Sequence, residues 1–165
     1  MNTISKQIGF DYEKSKSLKE MIIYGEKYRF TLLSESLIRL EYAEDGVFED
    51  RPTLLIRNRM FKPFEFSVTK DNFKIKIETK YFRLTYTPNK PFKGTNLMPD
   101  GNLKVELLNT QKKWYYGHPE VRNLGAPGKE LTDEKGKQTF SKGLYSLDGF
   151  VCVDDSKTPI VLENG

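Results

Sequence analysis

Hydrophobic side chains recur at every second position along much of this chain. The clearest runs are residues 64–68, 73–77, 82–86 and 103–107, where aromatic or aliphatic residues alternate with charged or polar ones. A period of two places one face of a strand on a core and the other face in water. Turn-forming residues separate the runs. The pattern predicts an all-β, mostly antiparallel β-sandwich.

The N-terminal part divides into an arm and the start of the domain. Residues 1–20 are polar and rich in lysine, which predicts a loosely attached arm with at most a helical turn near Lys14–Glu20. The sandwich domain is assigned to residues 21–165. Its first hairpin is predicted from the strands Tyr28–Leu33 and Leu37–Tyr42, joined by a short polar link.

The C-terminal part has weaker strand signals. Residues 112–143 are rich in turn formers and charges, and such a long irregular segment is usually functional or disordered. Two short strands are predicted after it, at Val151–Val153 and Pro159–Glu163. Between them, Asp154-Asp-Ser156 is interpreted as a solvent-exposed turn whose side chains bond their own backbone.

Composition and charge exclude few functions by themselves. The chain has 165 residues, of which 37% are hydrophobic and 30% charged, so a folded, soluble domain is expected. The net charge is +4, but the basic residues are scattered, and Lys74 and Lys76 alternate with apolar residues. A nucleic-acid footprint clusters its cations. We therefore predict a solvated sheet face here and no nucleic-acid partner.

The single cysteine and the N-terminus bear on the cellular compartment of the protein. Because Cys152 is the only cysteine, an internal disulfide and a cysteine-based metal cluster are both excluded. Cys152 lies in an apolar stretch, which predicts a buried, inert thiol. Residues 1–10 lack the continuous apolar core of a signal peptide. No apolar run approaches membrane-spanning length. These features predict a cytoplasmic protein without a membrane partner.

Histidine chemistry would have to depend on His118, the only histidine. Its neighbours Gly117 and Pro119 predict a loop residue that makes a structural hydrogen bond. A zinc site would need unusual carboxylate ligands, and no Gly-x-Ser-x-Gly elbow supports a Ser-His-Asp relay. A free-standing sugar epimerase is a weaker hypothesis for this chain, because epimerase chemistry normally uses two histidines and a carboxylate and the chain has one histidine.

Two further features are candidates for ligand contacts. The aromatic run at Trp114–Tyr116 is either a stacking platform for a sugar or a set of packing residues, with packing favoured. Asp148 lies at a loop-to-strand junction beside Tyr145 and Phe150, where a turn aspartate before a glycine is the simplest interpretation.

Four segments occur in this order along the chain: Phe30–Tyr42, Phe48–Thr53, Asn123–Gly125, and Gly143–Phe150 followed by Asp154–Ser156. Together they resemble the N-terminal β-sandwich of family 31 glycoside hydrolases, the α-glucosidase and α-xylosidase group. The resemblance covers about Phe30 to Glu163. It departs from one subgroup at Leu147, where that subgroup has arginine, at Phe150, where it has tryptophan, and at Ala126-Pro127, where it has Gly-Thr.

The resemblance implies a galactose-mutarotase-like sandwich that is part of a longer enzyme. In that family the nucleophile and general acid are aspartates of a downstream (β/α)8 barrel, and the mechanism is retaining. It implies no catalytic residue and no cofactor in this segment, which would pack on the barrel and lend a loop to a pocket for an α-linked oligosaccharide. Asp148, Tyr145 and Trp114 are the expected substrate contacts. The alternative is a free-standing carbohydrate-binding module.

Overall fold

The computed structural model describes residues 11–94, 101–127 and 140–162. The first half of the predicted arm, the turn at 133–136 and the last residues of the chain lie outside these ranges. Within these ranges the helical content is one short α-helix, α1 (Tyr12–Ser15), and a 3₁₀-helix at Lys19–Met21. Among the described residues, no helix has the length and apolar character needed to cross a membrane.

Most of the described strands belong to two antiparallel sheets. The first has the order β1-β2-β3 and the second the order β4-β5-β6-β7-β8, so each strand pairs with its neighbour in sequence. A two-residue pairing joins β9 (Ala126–Pro127) to β10 (Phe140–Ser141). The main strands are β1 (Ile22–Tyr24), β2 (Tyr28–Ser34), β3 (Leu37–Tyr42), β4 (Ser67–Lys70), β5 (Ile75–Glu78), β6 (Phe82–Tyr86), β7 (Leu103–Leu107) and β8 (Lys113–Tyr115).

The hydrophobic core combines side chains of both sheets. Tyr28 and Phe30 of β2 meet Tyr86 of β6 edge to face, with ring centroids 5.3 Å apart in both pairs. This geometry is the favoured one for aromatic pairs. The other core residues are Met21, which precedes β1, and aliphatic or aromatic side chains on β2, β5, β6, β7 and β8: Leu32, Ile75, Ile77, Phe82, Leu84, Leu103, Val105 and Trp114. The predicted all-β, mostly antiparallel sandwich is therefore confirmed.

The period-two pattern locates most strands but misplaces some ends. In β6 and β7 the alternation matches burial, with inward residues buried and the intervening ones half-buried. Phe73 belongs to the same pattern, yet it is 82% exposed and lies in the turn before β5. The turn forms because the Asp71 carboxylate accepts hydrogen bonds from the Phe73 and Lys74 backbone amides. A local side-chain bond thus overrides the hydrophobic pattern.

Three predictions for the C-terminal part are wrong. Residues 151–153 form no strand, and within the described part of 159–163 there is only an isolated bridge from Ile160 to Thr53. Pro159 has no backbone N–H to donate, which limits any ladder at this edge. Cys152 is exposed rather than buried. The stretch predicted to be irregular contains β8 and its buried Trp114.

Residues 11–20 are attached to the domain more firmly than a loose arm would be. Ser15 is buried, and its hydroxyl donates to the backbone carbonyl of Asp50 at 2.7 Å. The Arg59 backbone amide donates to the Lys14 carbonyl at 2.7 Å. Asp11 caps α1 by accepting a hydrogen bond from the Glu13 amide at 3.1 Å. This half of the arm therefore covers the segment around residues 50–60.

Candidate functional site

Two of the four resemblance segments lie side by side as a pair of loops, residues 118–125 and 143–150. Asn123 joins them: its Nδ2 donates to the Gly143 carbonyl at 2.9 Å, and its Oδ1 accepts from the Gly143 amide at 2.8 Å. The Leu124 amide also donates to the Tyr145 carbonyl, and the Leu147 amide to the Arg122 carbonyl. We call residues 118–125 and 143–150 the paired loops.

Asn123 can make these bonds because the chain turns sharply after it. Its Oδ1 also accepts a hydrogen bond from the Gly125 amide at 2.9 Å, which closes a local turn. Gly125 has a φ of +72°, a left-handed conformation that glycine adopts without steric cost. The Asn-Leu-Gly sequence thus has a physical reason: the amide side chain holds both loops, and the glycine permits the turn.

Asp148 lies in the second of the paired loops and is held by two cations. Its Oδ1 is 3.3 Å from an Arg122 nitrogen and 3.6 Å from Lys112 Nζ. The Ser146 hydroxyl accepts a hydrogen bond from the Asp148 amide at 3.0 Å, which fixes the turn. The side chain is only 14% exposed. The two cations therefore orient the carboxylate and balance its charge, which suits a hydrogen-bond acceptor with a fixed position.

Large apolar side chains are exposed on the same two loops. Tyr145 is 76% exposed and Leu144 is 72% exposed, and both belong to the same loop as Asp148. Leu124 of the first loop and Leu147 of the second are also more than half exposed. Four exposed apolar side chains on two adjoining loops are a feature of the kind that marks a contact surface. We call Leu124, Leu144, Tyr145 and Leu147 the apolar rim.

Trp114 and His118 have structural positions. Trp114 is 7% exposed and belongs to the core, where it is the cross-strand neighbour of Val105. Its position agrees with a packing residue and not with a stacking platform for a sugar. His118 accepts a hydrogen bond from the Glu120 amide at its Nδ1, at 3.0 Å. Its ring lies between the rings of Tyr115 and Phe150, with centroid distances of 4.8 and 5.0 Å. The predicted structural hydrogen bond of this loop histidine is confirmed.

The second segment of the resemblance contacts the end of the fourth. The Thr53 hydroxyl lies 2.9 Å from Asp155 Oδ1 and 3.0 Å from its Oδ2. Asp154 bonds its own turn, since its Oδ1 accepts from the Ser156 amide at 3.0 Å. The turn interpretation is therefore confirmed for Asp154 and wrong for Asp155. The turn interpretation failed for Asp155 because its hydrogen-bond donor, Thr53, lies 102 positions away in the sequence and is not part of the local pattern.

Asp155 adjoins a set of charges that the sequence did not reveal. We call Arg29, Arg39, Glu41, Asp50, Arg59 and Asp155 the buried polar cluster. The side chains are at most 23% exposed, except that of Asp50, which is 49% exposed. Two nitrogens of Arg29 donate to the two Glu41 oxygens at 2.7 and 2.9 Å, and a third nitrogen is 2.7 Å from Asp50. Arg39 reaches Glu41 at 2.8 Å. Burial lowers the pKa of Arg39 to about 10, so this guanidinium stays charged at neutral pH.

Arg59 ties this cluster to the surrounding loops. Its side chain is 1% exposed, and one nitrogen donates to the backbone carbonyls of Ser15, Asp50 and Arg51 at 3.0–3.2 Å. Burial lowers its pKa, and Asp155, 4.0 Å away, opposes that shift. Nothing in the local sequence distinguishes Arg59 from the exposed arginines, because its role depends on the carbonyls of Ser15, which is 44 positions away, and of residues 50–51.

The described residues carry no arrangement typical of a metal centre, since no three of their His, Cys, Asp or Glu side chains are grouped to hold an ion. The paired loops instead offer one oriented carboxylate, one exposed tyrosine ring and an apolar surface. The chain matches no model of a known protein family, and a search among curated proteins also gives no match.

Proposed function

We propose that this chain is the non-catalytic N-terminal domain of a retaining family 31 α-glycosidase of the α-glucosidase type, acting in the cytoplasm. The sandwich would be of the galactose-mutarotase-like type. The observation that carries the proposal is the contact between resemblance segments. Asn123 joins the third segment to the fourth, and Thr53 joins the second to Asp155. Sequence motifs that contact one another in space have a common structural reason to occur together.

The apolar rim supports docking on a further domain. Its four large side chains are exposed in this chain, and burying them would remove apolar area from water at about 25 cal/mol per Å². In the proposed enzyme the surface they meet is the (β/α)8 barrel of the same polypeptide. The paired loops would then lie at the edge of the sugar pocket.

Asp148 and Tyr145 have complementary roles in this proposal. The Asp148 carboxylate, held by Arg122 and Lys112, would accept a hydrogen bond from a hydroxyl of an α-linked oligosaccharide. The exposed Tyr145 ring would pack on an apolar sugar face. Trp114 contributes indirectly, as a core residue of β8. The nucleophile and the general acid belong to the barrel, so we assign no catalytic residue here.

Sugar binding by the isolated chain distinguishes this proposal from a free-standing carbohydrate-binding module. Calorimetric titration with maltose-type oligosaccharides should show no binding, because half of a composite pocket lacks most of its contacts. Affinity in the micromolar range that Tyr145→Ala abolishes would instead assign the chain as a module. Tyr24→Ala is the matched control, since Tyr24 is 69% exposed on β1 and outside the paired loops.

Activity of the isolated chain provides a second test. It should release no sugar from an α-glucoside and should not interconvert anomers. Anomer interconversion that His118→Ala abolishes would establish an epimerase and end the proposal. The coding sequence that follows codon 165 gives an independent check, because the proposal expects βα-repeats with two aspartates placed for retaining hydrolysis.

A further inference from the structure

Cations that are scattered in sequence come together on the outer face of the second sheet. Lys76 is the cross-strand neighbour of Thr85, which is the neighbour of Lys104, which is the neighbour of Tyr115. The side chains of these four residues alternate with the core residues of their strands, so they point away from the core. Lys74 lies just before β5, two residues from Lys76.

A depression of about 180 Å³ lies on this face, far larger than one water molecule needs. Among the described residues, its lining includes the lysines Lys74 and Lys104, the threonines Thr85 and Thr87, and no acidic residue. These two lysines and two threonines are the residues relevant to binding. The described part of the lining therefore has a formal charge of +2 and groups that donate hydrogen bonds.

The acidic residues of this face are in the next cross-strand row, outside the lining. In that row Glu78 pairs with Arg83, which pairs with Glu106, which pairs with Lys113. Lys104 Nζ is 3.4 Å from Glu106, so that lysine is held at the edge of the depression. Among the described residues, no carboxylate lies within 4.0 Å of Lys74 Nζ. None of the described carboxylates therefore competes with an anion for Lys74.

We propose that this depression binds a phosphate group, either inorganic phosphate or the phosphate of a small phosphomonoester. A phosphate dianion matches the +2 charge of the lining, and its oxygens accept hydrogen bonds from ammonium and hydroxyl groups. The volume leaves space beside the phosphate for a small organic group. This inference does not depend on the proposed glycosidase, since it uses none of the residues assigned to sugar contacts. Because Lys74 is exposed and Lys104 is partly exposed, the dissociation constant is expected on the order of 1 mM.

Amide chemical shifts of the ¹⁵N-labelled chain test the proposal directly. Titration with inorganic phosphate, at ionic strength held constant with sodium chloride, should shift the amides of Thr85, Thr87 and Lys104. Lys104→Gln should weaken binding roughly tenfold, as expected for losing a charge-assisted hydrogen bond. Thr85→Val keeps the charge and removes only the hydroxyl, and it should weaken binding by about threefold.

Lys113→Gln is the matched control, because Lys113 belongs to the same face but lies outside the depression. It should change the phosphate dissociation constant less than twofold. An equal loss for Lys113→Gln and Lys104→Gln would mean general attraction to a basic surface and would overturn the proposal. Shifts no larger than those caused by chloride alone would also overturn it.

The source of the phosphate is decided by a second titration, with glycerol phosphate. Tighter binding than inorganic phosphate, lost in Lys104→Gln, assigns the depression to an organic phosphate. Equal or weaker binding assigns it to the free ion. Preserved dispersion of the amide spectrum in each variant shows that a loss of affinity comes from the site and not from unfolding.

Discussion

Two regions of this domain contain the same arginine–glutamate contact in different surroundings. Arg29 Nε is 2.7 Å from Glu41 in the buried polar cluster, and Arg83 Nε is 2.7 Å from Glu78 on the outer face of the second sheet. The first pair has side chains that are 9% and 14% exposed, and the second pair 36% and 35%. The distances are identical, so any difference in stabilisation must come from burial and from the additional bonds.

The two regions also differ in what their charges connect. Arg29 and Arg39 both donate to the Glu49 carbonyl, at 3.0 and 2.8 Å. They therefore fix a loop against the face of β2 and β3 that points away from the core. Arg83 and Glu78 join strands that backbone hydrogen bonds already pair. Exposed pairs contribute little to stability, whereas removing one partner of a buried set leaves the rest unsatisfied. We therefore expect the two regions to respond differently to the same substitution.

Arg59→Met should have the largest effect. The substitution removes hydrogen bonds to three backbone carbonyls and leaves Asp155 without its cation. The free energy of unfolding should fall by about 3–5 kcal/mol, measured by urea denaturation. Arg83→Met is the matched control and should leave the urea midpoint unchanged. Equal effects of the two substitutions would contradict the distinction between the regions.

Glu41→Gln should have a smaller but clear effect. The side chain accepts hydrogen bonds from Arg29 and Arg39, and a neutral amide retains only part of this bonding while leaving two buried cations less compensated. A loss of about 2 kcal/mol is expected in the same urea experiment. Glu78→Gln on the exposed sheet face, as control, should show no measurable loss. If Glu41→Gln left the free energy of unfolding unchanged, burial would not strengthen the Arg29–Glu41 pair.

Glu49 should give the smallest effect, and it depends on pH. Hydrogen bonds from Arg51 lower the pKa of Glu49 to about 2, below its ordinary value of 4.5. The folded state therefore favours the ionised form, and this stabilisation is present above pH 4.5 and is lost as the pH falls from 4.5 towards 2. Because the side chain is one-third exposed, the contribution should be at most about 1 kcal/mol.

Unfolding free energies of the wild type and Glu49→Gln, measured between pH 7 and pH 2, test this expectation. The difference between them should be constant at neutral pH and should shrink between pH 4.5 and pH 2. A difference that persists unchanged at pH 2 would show that ionisation of Glu49 does not stabilise the fold.

Strand prediction from this sequence succeeded where burial alternates and failed where local bonding intervenes. Period-two alternation located β6 and β7, because a strand with one buried face requires it. It placed Phe73 in a strand, although the Asp71 carboxylate closes a turn at that position. The apolar stretch around Cys152 predicted a strand and a buried thiol, but in the described part of the chain no strand pairs with it and the thiol is exposed.

Prediction of the candidate site was also partial. The motifs singled out Asn123, Asp148 and Tyr145, and the structure brings the loops that carry them together. Trp114 was grouped with them on the basis of its side chain alone, yet its strand buries it in the core. Composition cannot separate an exposed tryptophan from a buried one, since that depends on the face of the strand it occupies.

The sequence by itself determined the all-β class and most strand positions, because the side-chain period of a strand is a local property of the backbone. Only the tertiary structure decided which polar groups meet. Thr53 and Asp155 are 102 positions apart, and Arg59 and the Ser15 carbonyl are 44 positions apart. The lysines of the outer sheet face meet through strand register. Such contacts depend on the path of the whole chain, which no local pattern encodes.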